Sequence, residues 1–272
     1  MAPALTPTSS TSRPVNANFS IGPVAERLAW LAASLATFLL LWHIAALAAD
    51  DVRRFPGPEV VFETMMKLSA SGALWPNILV TLGSLIAAFS IAMLAGSVIG
   101  ILLGKFPKAD RFFDPWVVLF LNLPAIVIIT LCLIWGGFNQ GSIIAAVALN
   151  KMPNTAVTMR EGTRNLSRDL DEMALIYKFG FWKTLRHVIV PQLAPYFATA
   201  ARAGLALIWK IVLVVEAFGG RGKGVGYQIM SAFTDFDVAT ILAYALTFIL
   251  IVQIIETTIM QPMIAKANAW RR

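Results

Sequence analysis

The sequence predicts an all-α integral membrane protein of one domain, and three observations predict it. Of 272 residues, 58% are hydrophobic and only 14% are charged, whereas a soluble domain is nearer half apolar and a quarter charged. The excess is gathered in blocks long enough to cross a hydrocarbon core, which takes about 20 apolar residues per helix. The Lys and Arg residues between those blocks segregate to alternate loops, as the positive-inside rule requires of a multi-pass protein.

Residues 1–23 are rich in Ser, Thr, Pro and Ala with no apolar core. They predict a disordered tail and not a signal peptide, which would place a hydrophobic stretch directly after a basic start. The first span follows over Leu28–Ala49, and a short outer helix is expected near Pro58–Ala70, so that residues 24–76 form one unit. Five further blocks, 77–103, 116–135, 142–159, 196–215 and 238–260, bring the expected total to six spans. The membrane core is then 77–265, with a polar loop at 160–192 and a tail at 266–272. Pro124 and Pro153 fall inside the third and fourth blocks. A proline frees a backbone carbonyl and kinks a helix, for packing or to line a pathway.

Charge sets the orientation. Lys105, Lys108, Arg111, the cations of the 160–192 loop and Lys266 fall on one side; Arg53, Arg54, Lys67, Arg221 and Lys223 fall on the other. Both termini and the long loop are therefore expected in the cytoplasm. The net charge of +7 is accounted for by topology and anionic lipid, without a nucleic-acid partner.

The long loop has internal order. Ser167 is placed to cap a helix whose first turns carry Asp169, Asp171 and Glu172, where the helix dipole favours acids. Lys178 falls near its end, and Gly180 suits a C-terminal position with positive φ. Met173, Ile176, Tyr177 and Phe181 recur at helical spacing and give it an apolar face. A second short helix over 182–190 is expected to run to Pro191. The amphipathic face fits either a lipid surface or, with a glycine hinge between two helices, a docked protein.

This loop resembles the EAA loop of ABC importer permeases, whose pattern is E-A-A, three residues, G, nine residues, I-x-L-P. Aligned on Pro191, Glu172, Met173 and Ala174 stand at E-A-A, and Val188 and Val190 at the aliphatic positions. Lys178 stands where the family's glycine is expected, with Gly180 two residues later. The segments FPGPEVVFETMMKLSASGALWPNILVTLGSLIAAF, LPAIVIITLCLIWGGFNQGSIIAAVALNKMPNTAVTMREG and RGKGVGYQI resemble, in order, permeases of the nitrate/sulfonate/taurine group.

The resemblance implies the type I ABC importer permease fold in a bacterial inner membrane. It also implies two permease copies in a likewise implied homodimer, a cytoplasmic ATPase on each EAA loop, and a periplasmic or lipid-anchored binding protein. No cofactor is implied on this chain, ATP and Mg being bound by the partner ATPase. Asp171, Glu172, Met173, Ala174, Tyr177, Lys178, Gly180, Phe181 and Pro191 are the coupling residues it implies. The transported substrate is expected to be a small anion such as nitrate, a sulfonate or taurine.

Charged residues in or beside the spans are the pathway candidates, because an ion costs at least about 2.5–3.5 kcal/mol at mid-bilayer on insertion scales. They are Lys151, Arg202, Lys210 and Glu216, with the kink at Pro124 beside them. Lys210 sits in the apolar run ALIWKIVLVV and reads either as an anion contact or as the partner of Glu216 or Glu256. The glycine-rich stretch at 219–226 is not a P-loop, since Lys223 precedes Gly224 and not Ser or Thr. The two His residues, His43 and His187, are far apart and do not form a metal or haem site, and the single Cys132 reads as a small buried hydrophobe. A secondary transporter or a membrane-anchor subunit of another complex is the alternative; the first would usually show an internal repeat and the second cofactor ligands.

Overall fold

The computed structural model describes residues 22–220 and 222–268, and among them every regular element is a helix. The expected tail at 1–23 lies almost wholly outside the described residues, as do Arg221 and the last four residues.

Helix α1 (Gly22–Ala49) is apolar on all sides and stands outside the bundle. It is tied to α2 (Pro58–Ala70) by His43 Nδ1 to Glu59 Oε2 at 3.1 Å, and to the segment just before α2 by the Trp42 indole N–H donating to the Pro56 carbonyl at 3.0 Å. α2 has the predicted bounds. Pro58 opens it, where a missing N–H costs nothing, and Gly72, at φ 75°, closes it.

The centre of the fold is α3 (Leu74–Lys105) against α6 (Gln140–Arg164) and α9 (Val190–Gly219). A stripe of small residues explains why α3 and α6 meet so closely. Ala88, Ala92, Gly96, Gly100 and Gly104 recur every fourth residue and so share one face of α3. A Cβ at Gly96 would lie 2.7 Å from the Met152 carbonyl, and one at Gly100 would strike the Ala156 carbonyl. Without a hydrophobic force between helices in lipid, this backbone contact supplies the dispersion energy of packing. Ile143, Val147, Ile208, Val212 and Phe248 fill the core around it.

The third expected span is not one kinked helix. It breaks into α4 (Pro107–Asn122) and α5 (Ala125–Gly136), bent by 96°. Leu123, the residue before Pro124, is extended at φ −66° and ψ 126°, the conformation that a following proline imposes. Pro153, by contrast, is absorbed within α6.

After α7 (Arg168–Ile176), the expected short helix before Pro191 is instead the start of the longest rod in the molecule. α8 (Phe181–Thr184), a π-helical turn (Leu185–Ile189) and α9 are continuous over Phe181–Gly219. Pro191 does not stop this helix, because the wider π-turn just before it accommodates a residue that lacks an N–H and crowds the preceding turn. The same arrangement recurs after α10 (Val225–Thr234). α11 (Val238–Ile255) enters a π-turn over Glu256–Met260, and Pro262 follows in α12 (Gln261–Asn268).

Among the described residues, four helical stretches are long and apolar enough to cross a membrane: Leu28–Ala49, Leu74–Lys105, Phe181–Gly219 and Val238–Ala265. The broken α4–α5 pair is a fifth by the same measure. α6, with 25 residues, is about 38 Å long at 1.5 Å per residue, but Lys151, Arg160, Glu161 and Arg164 make it more polar than the others.

Candidate functional site

The loop at 160–192 forms a compact joint. Arg160 Nη1 donates to Asp110 Oδ1 at 3.0 Å and to Asp114 Oδ1 at 2.6 Å, and Arg164 also pairs with Asp110. Arginines four apart on α6 therefore face aspartates four apart on α4, and the broken span is fastened to the last turn before the loop. The chain then turns into α7. Ser167 occupies the cap position as expected, but its hydroxyl makes no capping bond; instead its backbone N–H donates to Gln192 Oε1 at 2.9 Å. The start of α7 is thereby held against the first turn of α9.

The end of α7 departs from expectation. Gly180 has φ −70°, and it is Lys178 that adopts the left-handed conformation, at φ 51°. Phe179 N–H donates to the Ala174 carbonyl at 2.8 Å and Lys178 N–H to the Leu175 carbonyl at 3.0 Å. This is the paired closure of a Schellman motif, whose left-handed residue is usually glycine. The helix stops two residues earlier than a Gly180 cap would require, so the lysine takes the position of special geometry.

Ala174, 3% exposed, is the one buried residue of α7 and seats it on the joint. Asp171, Glu172, Met173, Tyr177, Lys178, Gly180 and Phe181 are all exposed, and Pro191 is half-buried. Leu175, Ile176 and Trp182 are each 78% exposed, and with Tyr177 and Phe181 they make an apolar knob around Lys178. Exposed apolar residues are also common on the membrane helices of this chain; this group differs in lying among the charged residues of the 160–192 loop.

The intramembrane charges are not brought to one place. Lys210 is exposed, 5.5 Å from the Trp209 ring centroid, and lines a hollow of about 280 Å³ with Ala125, Ile126, Ile129, Ile211 and Val214. That hollow lies against the first turns of α5, next to Pro124. Lys210 belongs to no ion pair among the described residues, so neither expected partner, Glu216 or Glu256, reaches it. Lys151 is buried, 4% exposed, with its Cε close over Gly204 of α9, and Arg202 is exposed on α9.

Glu216 has a different setting. Fully buried, it accepts from Thr81 Oγ1 at 2.6 Å, Ser84 Oγ at 3.4 Å and the Gly226 N–H at 3.2 Å. Val225 N–H donates to Thr81 Oγ1 at 2.8 Å, and Gly224 N–H to Asn77 Oδ1 at 2.9 Å. The free N–H groups at the start of α10 are thus met by two residues of α3 and one carboxylate of α9. This carboxylate faces packed helices and not the Lys210 hollow. Sequence reasoning missed the network and the Asp110–Arg160 cluster alike, although matched four-residue spacing in the second pair was a usable signal.

Residues 92–268 match the family described as "Binding-protein-dependent transport system inner membrane component". The chain belongs to that family: it is a transport permease of the inner membrane with several apolar helices. It is similar to the putative aliphatic sulfonates transport permease protein SsuC of Escherichia coli (strain K12), 30% identical over 76% of this chain and 80% of that protein. The taurine transport system permease protein TauC of the same organism is 24% identical over 77% and 78% of the two chains. The bicarbonate transport system permease protein CmpB of Synechococcus elongatus is 24% identical over 77% and 79%.

Proposed function

We propose that this chain is the membrane subunit of an ATP-driven importer for a small anion of the sulfonate, taurine or bicarbonate kind. The apolar knob at the α7–α8 joint carries the reading. A group of exposed apolar side chains at the joint between α7 and a long membrane rod, two of them (Phe181 and Trp182) on the rod's first turn, is what a docked motor subunit needs. In this reading the non-catalytic permease receives ATPase subunits on the 160–192 loop, and those subunits bind ATP and Mg. A binding protein delivers substrate at the opposite face, and a second copy of the chain completes the path.

Six spans follow when α1, α3, the α4–α5 pair, α6, the 181–219 rod and α11–α12 are each counted once. Both termini and the docking loop then lie in the cytoplasm, consistent with the cations of that loop. Lys210 and the first turn of α5 give the adjoining hollow a positive character, since unpaired N–H groups at a helix start carry partial positive charge. Arg202, Lys151 and the bend at Pro124 extend the proposed path. Glu216 serves it indirectly, by fixing α10.

The test is purification of the detergent-solubilised chain with its cognate ATPase. A P-loop protein with ATP hydrolysis should co-purify with the wild type, and Ile176→Asp, at an exposed position with no packing cost, should release it and stop uptake. Ala174→Asp should do the same by unseating α7. Uptake and co-purification at wild-type levels in both variants would remove the docking assignment.

A further inference from the structure

We propose that Lys178 selects the docking partner: its ammonium pairs with a carboxylate in the groove of the ATPase that receives the joint. The inference rests on the docking reading above and adds the chemistry of the partner's surface.

The fold gains nothing from a lysine at this position. A left-handed residue other than glycine costs about 1–2 kcal/mol, and the two bonds that close α7 are made by backbone groups alone. The Lys178 side chain is exposed and joins no ion pair among the described residues. Nearby Lys183 has a place within the chain, 4.1 Å from the Phe179 ring centroid. Lys178, like the exposed Arg168 and Arg186, joins no ion pair among the described residues, but it alone of the three stands at the left-handed turn between the apolar side chains.

Its surroundings decide what must meet it. A partner that covers Leu175, Ile176, Tyr177, Phe181 and Trp182 also removes the Lys178 ammonium from water. Burying an unpaired charge is far costlier than burying those apolar groups is favourable, so the covering surface has to supply an anion. An anionic bilayer could offer one, and Arg168, Lys183 and Arg186 are exposed beside Asp169, Asp171 and Glu172, but its charge is diffuse and would meet those acids as well as Lys178. A protein groove can present an acid to Lys178 and avoid acids near α7's start.

The experiment uses the full chain in nanodiscs of neutral phosphatidylcholine and measures binding of the purified cognate ATPase. Lys178→Arg should bind within about threefold of wild type. Lys178→Gly should bind on the order of tenfold more weakly, and Lys178→Glu more weakly still. Lys178→Gly should at the same time unfold at a higher temperature than wild type, because glycine relieves the backbone. A simple structural role would move stability and binding together. Wild-type affinity in Lys178→Glu overturns the proposal, as does unchanged ATPase affinity with lost binding to anionic phosphatidylserine vesicles, which would assign the contact to lipid. A wild-type chain that binds no ATPase would instead overturn the docking reading itself.

Discussion

Thr81 Oγ1 donates to Glu216 Oε2 at 2.6 Å in the packed interior, joining α3 to the far end of α9. The same hydroxyl oxygen accepts the Val225 N–H, so one threonine links a carboxylate and the start of α10. Thr81→Val keeps the shape and removes both bonds. It should cost about 1.5–3 kcal/mol, the range for a hydrogen bond to a charged group. Glu216→Gln, which can still accept, should cost less than Glu216→Ala. Thermal unfolding in detergent measures the order, and hydrogen exchange at Val225 and Gly226 should rise in Thr81→Val. Equal melting of Thr81→Val and wild type would show that this joint is not stabilising.

The small-residue stripe of α3 makes a matched pair of predictions. An added methyl at Gly100 meets the α6 backbone, whereas one at Gly83 on the same helix meets nothing within 4 Å. Gly83→Ala should therefore stabilise the helix by up to about 1 kcal/mol of propensity and so raise the melting temperature. Gly100→Ala should lower it and reduce the yield of folded protein. The same sign of change in both variants would be incompatible with close helix contact at Gly100.

Arg160 and Asp110 are coupled across 50 residues of sequence. Arg160→Ala and Asp110→Ala should each destabilise the protein, and the double variant should cost less than their sum. The coupling expected of two contacting, largely buried groups is about 0.5–3 kcal/mol. Strict additivity in a double-mutant cycle would mean the pair does not hold α4 to α6.

On the importer reading proposed above, Lys210→Met should lose anion uptake while the chain still assembles with the ATPase, and Lys210→Arg should retain part of it. Initial uptake rates into proteoliposomes, with the binding protein and ATP supplied, are the measurement. Unchanged rate and apparent affinity in Lys210→Met would take this residue out of the path.

These variants fall on features of unequal legibility. α2 was expected near its observed bounds, on the resemblance to permeases with a proline-bounded helix before the second span, and Pro58 and Gly72 mark its two ends locally. The break at Pro124 was readable as a disturbance, but a kink and a 96° turn differ by whether the residue before proline leaves the helical region, and Leu123 does. Pro191 misled in the opposite direction: it reads as a terminator, yet a π-turn lets the helix pass. Gly180 drew the left-handed position to itself because glycine is the usual occupant, whereas the bonds to Ala174 and Leu175 fix that position at Lys178. The apolar character of the joint was only partly legible from spacing: of Met173, Ile176, Tyr177 and Phe181, only the first two fall within α7, and the exposed Leu175 and Trp182 lay off that pattern. The Glu216 network was not, since its partner Thr81 lies 135 residues away and nothing in the local sequence points to it.

The unbroken helix over Phe181–Gly219 has a mechanical consequence. From position 181 to 216 it spans about 53 Å at 1.5 Å per residue, with the docking knob at one end and the carboxylate that fastens α10 at the other. A push on Phe181 or Trp182, the knob residues on the rod itself, travels along one continuous helix and arrives where α9 grips α3 and α10. With a motor docked as proposed, its stroke at one end and the loosening of the α10 joint at the other would be two ends of one displacement.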